Sequence, residues 1–180
     1  VGKYFDDLKA SMTMLGKHPD TIFIGQAVSY PGTGMYGTLA DVPMEKRLEL
    51  PVAEEMQMGM SIGLALEGFI PISIFPRWNF LLLGINQLVN HLDKIGVMSD
   101  GGYKPGVIIR TGIGSERPLH PGPQHTGDFT SPMKQMLDHI WVQRLGSLVD
   151  IQYSYKNALE QAKKGKSTIL VEVSDYLHEK

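Results

Sequence analysis

The sequence contains no cysteine, which removes disulfide frameworks and thiolate-held metals from consideration and fits a reducing compartment such as the cytoplasm. Charge of one sign is also missing. Lys and Arg number 17 against 19 Asp and Glu, leaving −2 at neutral pH with no basic block, so nucleic acid and anionic membrane are poor partners. Gly, Pro or a polar residue interrupts every apolar run well short of the roughly 18 residues that a membrane span needs. The opening VGKYFDDLKASM lacks the apolar stretch of a secretory leader. Linkers, internal repeats and low-complexity segments are absent as well. What remains is 180 residues, 42% hydrophobic and 20% charged, the balance of one globular domain with a full core.

Two periods alternate along the chain. Tyr4, Phe5, Leu8, Met12 and Leu15 recur at three- and four-residue steps and predict an opening helix, ended by Gly16 and Pro19. Short apolar runs predict strands over 21–25 (TIFIG), 70–75 (IPISIF), 106–110 (GVIIR), 147–151 (SLVDI) and 167–173 (STILVEV). Helices are expected over about 53–67, 80–95, 132–141 and 155–164. Strands alternating with helices of this length imply crossover connections and a mainly parallel sheet covered on both faces. The expected fold class is therefore α/β, a single three-layer domain over residues 1–180.

YPGTGMYGTLADVP, residues 30–43, holds Gly32, Gly34 and Gly37 in the G-x-G-x-x-G spacing of a dinucleotide fold. That chemistry needs the glycines in the turn joining a strand directly to a helix, whose N-terminus receives the pyrophosphate. Here Gly32 comes seven residues after Gly25, and no apolar helical period follows Gly37. A loop covering a ligand is the better reading, and a nicotinamide-dependent oxidoreductase is a distant alternative. No Gly-Lys-Ser/Thr follows, so a Walker loop is excluded.

Residues 50–80, LPVAEEMQMGMSIGLALEGFIPISIFPRWNF, say more. Pro51 precedes a helix whose glycines, Gly59, Gly63 and Gly68, let another backbone come close. Its first turn carries Glu54 and Glu55, and two solvated acids there would gain only about 0.3 kcal/mol each from the helix dipole. Direction separates them: at i+4 and i+8 Glu54 stacks over Met58 and Ile62, Glu55 over Gly59 and Gly63. A carboxyl aimed at apolar surroundings can hold or share a proton near neutral pH, as acid–base chemistry requires. Further on, Trp78 and Phe80 suit either core packing or ring stacking. His125 lies in a Gly/Pro-rich segment after a strand, where α/β enzymes place functional side chains. With His120 and Asp128 it raises a zinc site, but no third strong ligand is fixed, and no metal is expected. Arg77 and Arg117 could grip a carboxylate or phosphate bidentately. His18, His91, His139 and His178 fit helix faces or termini.

From Leu50 to Glu172, the stretches LPVAEEMQMGMSIGLALEGFIPI, RWNFLLLGINQLVNHLDKIGVMSDGGYKPGVIIR and GPQHTGDF resemble the pyrimidine-binding domain of thiamine diphosphate enzymes. The likeness is greatest to the N-terminal half of 2-oxo acid dehydrogenase beta subunits, with transketolase more distant. Upstream, IFIGQAV resembles the first strand and loop of the same family. The resemblance puts the family's acid on Glu54, because Gly59, Gly63, Gly68 and Pro71 then keep the family's distances from it. It implies that this carboxyl hydrogen-bonds the ring nitrogen of the cofactor's aminopyrimidine and favours its imino tautomer. It also implies that Phe80 stacks on the pyrimidine, with Leu83 a turn further and Trp78 nearby, that Gln26 borders the cofactor, and that His125 helps stabilise charge on substrate. His120, Arg77 and Arg117 are then substrate candidates.

Two departures shape the expectation. Gln26 and Ala27 stand where the family has an acidic pair, and the Gly-Asp-Gly and Asn motif for diphosphate and magnesium is absent, since SDGGYK at 99–104 does not reproduce it. The family's beta subunits continue into a further domain, whereas this sequence runs to Lys180. A free-standing pyrimidine-binding subunit is expected, inactive alone and completed, as an α2β2 heterotetramer, by an alpha-type chain that holds the diphosphate and Mg²⁺. Non-oxidative decarboxylation with carboligation, or ketol transfer, is the favoured chemistry. A beta-type component of a 2-oxo acid dehydrogenase complex is the alternative, and a non-catalytic regulatory or assembly module of the same fold is the reading from another class.

Overall fold

Leu8, Met12 and Leu15, one stripe of the opening segment, are completely buried, and helix α1 (Lys3–Gly16) lays that stripe on a sheet. The computed structural model describes residues 2–114, 116 and 120–178. Strands β1 (Thr21–Gly25), β2 (Arg47–Glu49), β3 (Ile70–Ile74), β4 (Ile108–Ile113), β5 (Trp141–Leu145) and β6 (Thr168–Val173) form one sheet in the order β2-β1-β3-β4-β6-β5. Every pairing is parallel, so the expected mainly parallel sheet is wholly so. β3 and β6 are buried at every position, the signature of parallel strands covered on both faces.

Side chains alternate across each strand, and the core divides accordingly. Phe23, Ile72, Ile108 and Leu170 meet α1 and helix α7 (Ile151–Ala162) on one face. Ile109, Ile169 and Val171 meet Met58, Trp78 and Leu88 on the other, under helix α3 (Glu54–Leu66), residues 78–98 and helix α6 (Thr130–Met136). Among the described residues, no helix is long and apolar enough to cross a membrane.

Three expected elements differ. The strand expected over 147–151 is a turn, with Leu148 fully exposed; the strand is β5, where buried Val142 and Leu145 alternate with exposed Trp141 and Arg144. Ile151 instead opens α7, whose buried Tyr155, Ala158, Leu159 and Ala162 follow at helical spacing, and Asp150 caps it by accepting from the Tyr153 N–H at 2.9 Å. The helix expected over 80–95 is broken into α4 (Trp78–Leu81), a 3-10 turn over 82–84, a π-helical stretch over 87–92 and α5 (Ile95–Met98). Helix α6 stops at Met136 instead of reaching 141, and α2 (Gly34–Gly37) is a single unexpected turn.

Asp93 ties the π-helical stretch to the approach to β5. Its carboxylate accepts from the N–H groups of His139 at 2.8 Å and Asp138 at 3.2 Å and pairs with Lys94 at 2.8 Å. Burial pushes its pKa up, but Lys94 and the two N–H groups outweigh burial and hold the carboxyl below its usual range. A carboxyl depressed in the folded state contributes stability that is present above its unfolded pKa and is lost as pH falls through the folded one. Stability should therefore decline below about pH 4. Asp93→Asn should flatten that decline and, at pH 7, cost about 1–3 kcal/mol in chemical denaturation.

Candidate functional site

Ligands of parallel α/β sheets bind beyond the carboxyl ends of the strands. Here the segments after β1, β2, β3 and β4 wall a groove of about 810 Å³. Gln26, Glu49, Arg77, Phe80 and His125 line it.

Glu54 opens α3 immediately beside this groove and is 3% exposed, whereas Glu55 faces solvent. The helical-face reading of the two acids therefore matches their burial: Met58 and Ile62, one and two turns below Glu54, are buried too. The Glu54 carboxylate accepts from Gln26 Nε2 at 3.1 Å, so the groove reaches this acid through Gln26. Beneath it the Gln57 amide donates to the Ile74 carbonyl at 2.9 Å and to Ser73 Oγ at 3.1 Å, fixing the first turns of α3 to the end of β3.

Across the groove, Phe80 and His125 are in contact, ring centroids 5.6 Å apart and tilted by 55°. Phe80 comes from α4. His125 ends a 3-10 turn over 123–125 that crosses the exit of β4. Gly114 permits the crossing, because a Cβ there would lie 1.6 Å from the His125 carbonyl oxygen. The His125 Nδ1 is buried without a hydrogen-bond partner, an uncommon state that leaves it able to serve a ligand.

The remaining candidates fall outside this contact. Trp78, expected beside the cofactor, opens the same helix as Phe80 but is wholly buried on its core side, so it supports the groove from behind. Leu83 is 63% exposed on the 3-10 turn after α4. His120 is exposed, accepts from the Gly122 N–H at 3.0 Å and is not a groove residue. Asp128 accepts from the Thr130 N–H at 3.0 Å and faces Arg144 at 3.6 Å. Among the described residues no three His, Cys, Asp or Glu are placed to hold a metal ion. Arg77 lines the groove, and among the described residues nothing pairs with its guanidinium. Arg117 lies outside the described residues. Gly32 and Gly34 line the groove in the loop that carries α2, whose Thr33 cap accepts from the Tyr36 N–H at 3.0 Å.

Two residues missed in the sequence come from β2. Arg47 donates through Nε to the Val42 carbonyl at 3.1 Å and through a terminal nitrogen to that of Val28 at 3.2 Å, with its guanidinium 5.7 Å from the Tyr36 ring centre. Glu49 accepts from three successive backbone N–H groups of the loop after β1. Residues i and i+2 of a strand share a face, so the alternation in RLEL at 47–50 puts Arg47 and Glu49 side by side but gives neither a role.

A wholly parallel sheet with a groove at its carboxyl edge, an acid buried at a helix mouth and an aromatic-histidine contact define an α/β ligand-binding domain. Residues 8–177 match the family described as transketolase, pyrimidine binding domain, and the chain belongs to that family. The beta subunit of the pyruvate dehydrogenase E1 component from Gracilaria tenuistipitata var. liui is 32% identical over 127 residues, covering 68% of this chain and 38% of that protein. Its mitochondrial counterpart from Ascaris suum is 29% identical over 133 residues, 70% of this chain and 36% of the relative. The chain thus spans about a third of the length of the curated relatives it matches. Among solved structures, a split-gene transketolase described as an inactive beta4 tetramer has a TM-score of 0.71 at 16% identity, covering 94% of this chain and 50% of that one. The transketolase from Leishmania mexicana has a TM-score of 0.68 at 14% identity, with 93% and 24% covered. At such identities the likeness is one of fold.

Proposed function

We propose that this chain is the pyrimidine-binding part of a thiamine diphosphate-dependent enzyme acting on a 2-oxo acid or ketose, completed by a separate diphosphate-binding chain. The observation that carries this reading is Glu54, buried at the mouth of α3 and joined to the groove by Gln26. Thiamine diphosphate, when bound, supplies the carbon nucleophile and electron sink for making and breaking bonds beside a carbonyl. Glu54 would hold the aminopyrimidine and exchange a proton with its ring nitrogen, and Phe80 would cover the ring face. The unpartnered imidazole nitrogen of His125 would hold a proton or a hydrogen bond for the substrate. Arg77 offers a free guanidinium to a carboxylate or phosphate. Mg²⁺ and the diphosphate would be held by the partner.

An exposed apolar face supports a partner. Val52, Met56, Met60 and Leu66 are exposed along and just before α3, and among the described residues nothing lies within 4 Å of a Cβ built at Gly59 or Gly63, so none of them uses the closeness those glycines allow. The names of the relatives, each a pyruvate dehydrogenase E1 component subunit beta, favour a second reading within the same chemistry, a beta-type component of a 2-oxo acid dehydrogenase.

The test is reconstitution with a diphosphate-binding chain, to be sought first in the neighbouring reading frames. The pair, given thiamine diphosphate and Mg²⁺, is expected to turn over a 2-oxo acid or a ketose, while either chain alone is inactive. Oxidation of pyruvate with an artificial electron acceptor favours the dehydrogenase component, and acetoin-type or ketol products favour the non-oxidative reading. No cofactor binding by the assembled pair would leave a non-catalytic module in its place.

A further inference from the structure

Strand β2 brings one acid onto the loop that borders the groove, and among the described residues every hydrogen bond to its carboxylate comes from backbone. Glu49 Oε1 accepts from the Ala27 N–H at 2.8 Å, and Oε2 accepts from Val28 at 2.8 Å and Ser29 at 2.7 Å. Three successive N–H groups converging on a carboxylate form a concave anion seat, here filled by the protein's own side chain. The register supports it: Glu49 lies opposite Gly25 in the β1–β2 ladder, and the Leu50 N–H donates to the Gly25 carbonyl at 2.9 Å. The loop needs such an anchor, because Ala27 has φ +56°, a left-handed conformation that a residue with a Cβ keeps only when its surroundings impose it. Immediately before that turn is Gln26, whose amide reaches Glu54.

We infer that Glu49 is a positioning residue: by clamping the N–H groups of residues 27–29 it fixes the turn at Ala27 and thereby aims the Gln26 amide at the Glu54 carboxylate. The consequence for cofactor activation rests on the function proposed above; the clamp itself does not. Glu49 is itself a groove residue, so its anchoring also shapes that wall.

Hydrogen exchange and ¹⁵N spectra of the full chain test the clamp without reference to turnover. In Glu49→Gln, whose amide cannot accept on both sides, the amides of Ala27, Val28 and Ser29 should exchange at least about tenfold faster. The Gln26 side-chain NH₂ resonances should move toward their positions in Glu54→Ala. If Glu49→Gln folds poorly, Glu49→Asp, which withdraws the charge by one methylene, should accelerate the same three amides while those of residues 22–24 keep their rates. Unchanged exchange at 27–29, or equal acceleration throughout β1, overturns the proposal. In the reconstituted pair, Glu49→Gln and Gln26→Ala should each raise the half-saturating thiamine diphosphate concentration, and the double variant should be no worse than Gln26→Ala alone. Additive effects would mean that Glu49 does not act through Gln26. A wild-type pair that binds no cofactor sinks the proposed function, while the exchange data still decide the clamp.

Discussion

Glu54→Gln in the reconstituted pair is expected to lower kcat by about 10²- to 10⁴-fold, the usual range when a positioned proton-exchanging group is removed. The substitution preserves volume, and an amide oxygen can still accept from Gln26, so the packing over Met58 survives. What disappears is a group that can carry charge in one state and a proton in the other. Glu55→Gln is the matched control. Its carboxyl is exposed and, among the described residues, accepts just one long hydrogen bond, from the Gln87 amide at 3.4 Å, so turnover should be unchanged. Steady-state kinetics of the two variants decide the matter, and a Glu54→Gln pair within about twofold of wild type would remove this acid from the chemistry. Assembly should be unaffected, because Glu54 is covered by its own chain and not offered to a partner.

Which of these two acids is buried was legible because a helix converts sequence spacing into direction. Buried Met58 and Ile62 sit below one, and uncovered Gly59 and Gly63 below the other. β1, β3 and β6 were legible for a similar reason, since a strand covered on both faces is a short apolar run between turn residues. Side-chain spacing does not report the backbone bonding pattern. In residues 80–95, Leu81, Ile85, Leu88, Leu92 and Ile95 recur at helical steps, and nothing in that pattern tells where backbone bonds shift to 3-10 or π spacing; the packing does, with Gly84 pressed against the Glu54 carbonyl, 3.1 Å from where a Cβ would be. At 147–151 the apolar letters suggested a strand, although Leu148 is left in water and Ile151 begins a helix.

The groove was legible in its side-chain chemistry and illegible in its scaffolding. Phe80 and His125 could be named as candidates, and their 5.6 Å contact joins segments 45 residues apart. Glu49 left no motif, because an acid that serves backbone N–H groups makes no demand on the residue types it holds. The same is true of Arg47, whose hydrogen bonds go to the carbonyl oxygens of residues 28, 39 and 42. The G-x-G-x-x-G spacing proved to be part of this wall, a single turn inside a loop rather than the start of a long helix.

The largest stability effect is expected at the opposite face of the sheet, where Arg110 of β4 and Glu172 of β6 are both completely buried. Arg110 Nε lies 2.5 Å from Oε1 and a terminal nitrogen 3.0 Å from Oε2, while the Tyr155 hydroxyl donates to Oε1 at 2.7 Å. Burial opposes the charge on Arg110, but the carboxylate beside it more than compensates and keeps the guanidinium charged. Burial, with the same carboxylate, pushes the Tyr155 hydroxyl well above its ordinary range, so it remains a donor. Glu172→Gln would strand a guanidinium in the core, one of whose nitrogens already lacks a partner, and should cost about 3–5 kcal/mol. That corresponds to a fall in Tm on the order of 10 °C for a chain of this size. Replacing both members with methionine removes the charges together and should recover most of the loss, because desolvating two ions offsets much of their attraction. Thermal and urea unfolding of the single and double variants separate these contributions. A Glu172→Gln chain destabilised by less than about 1 kcal/mol would show that water or a neighbouring group reaches Arg110, and the dry ion pair would then be wrong.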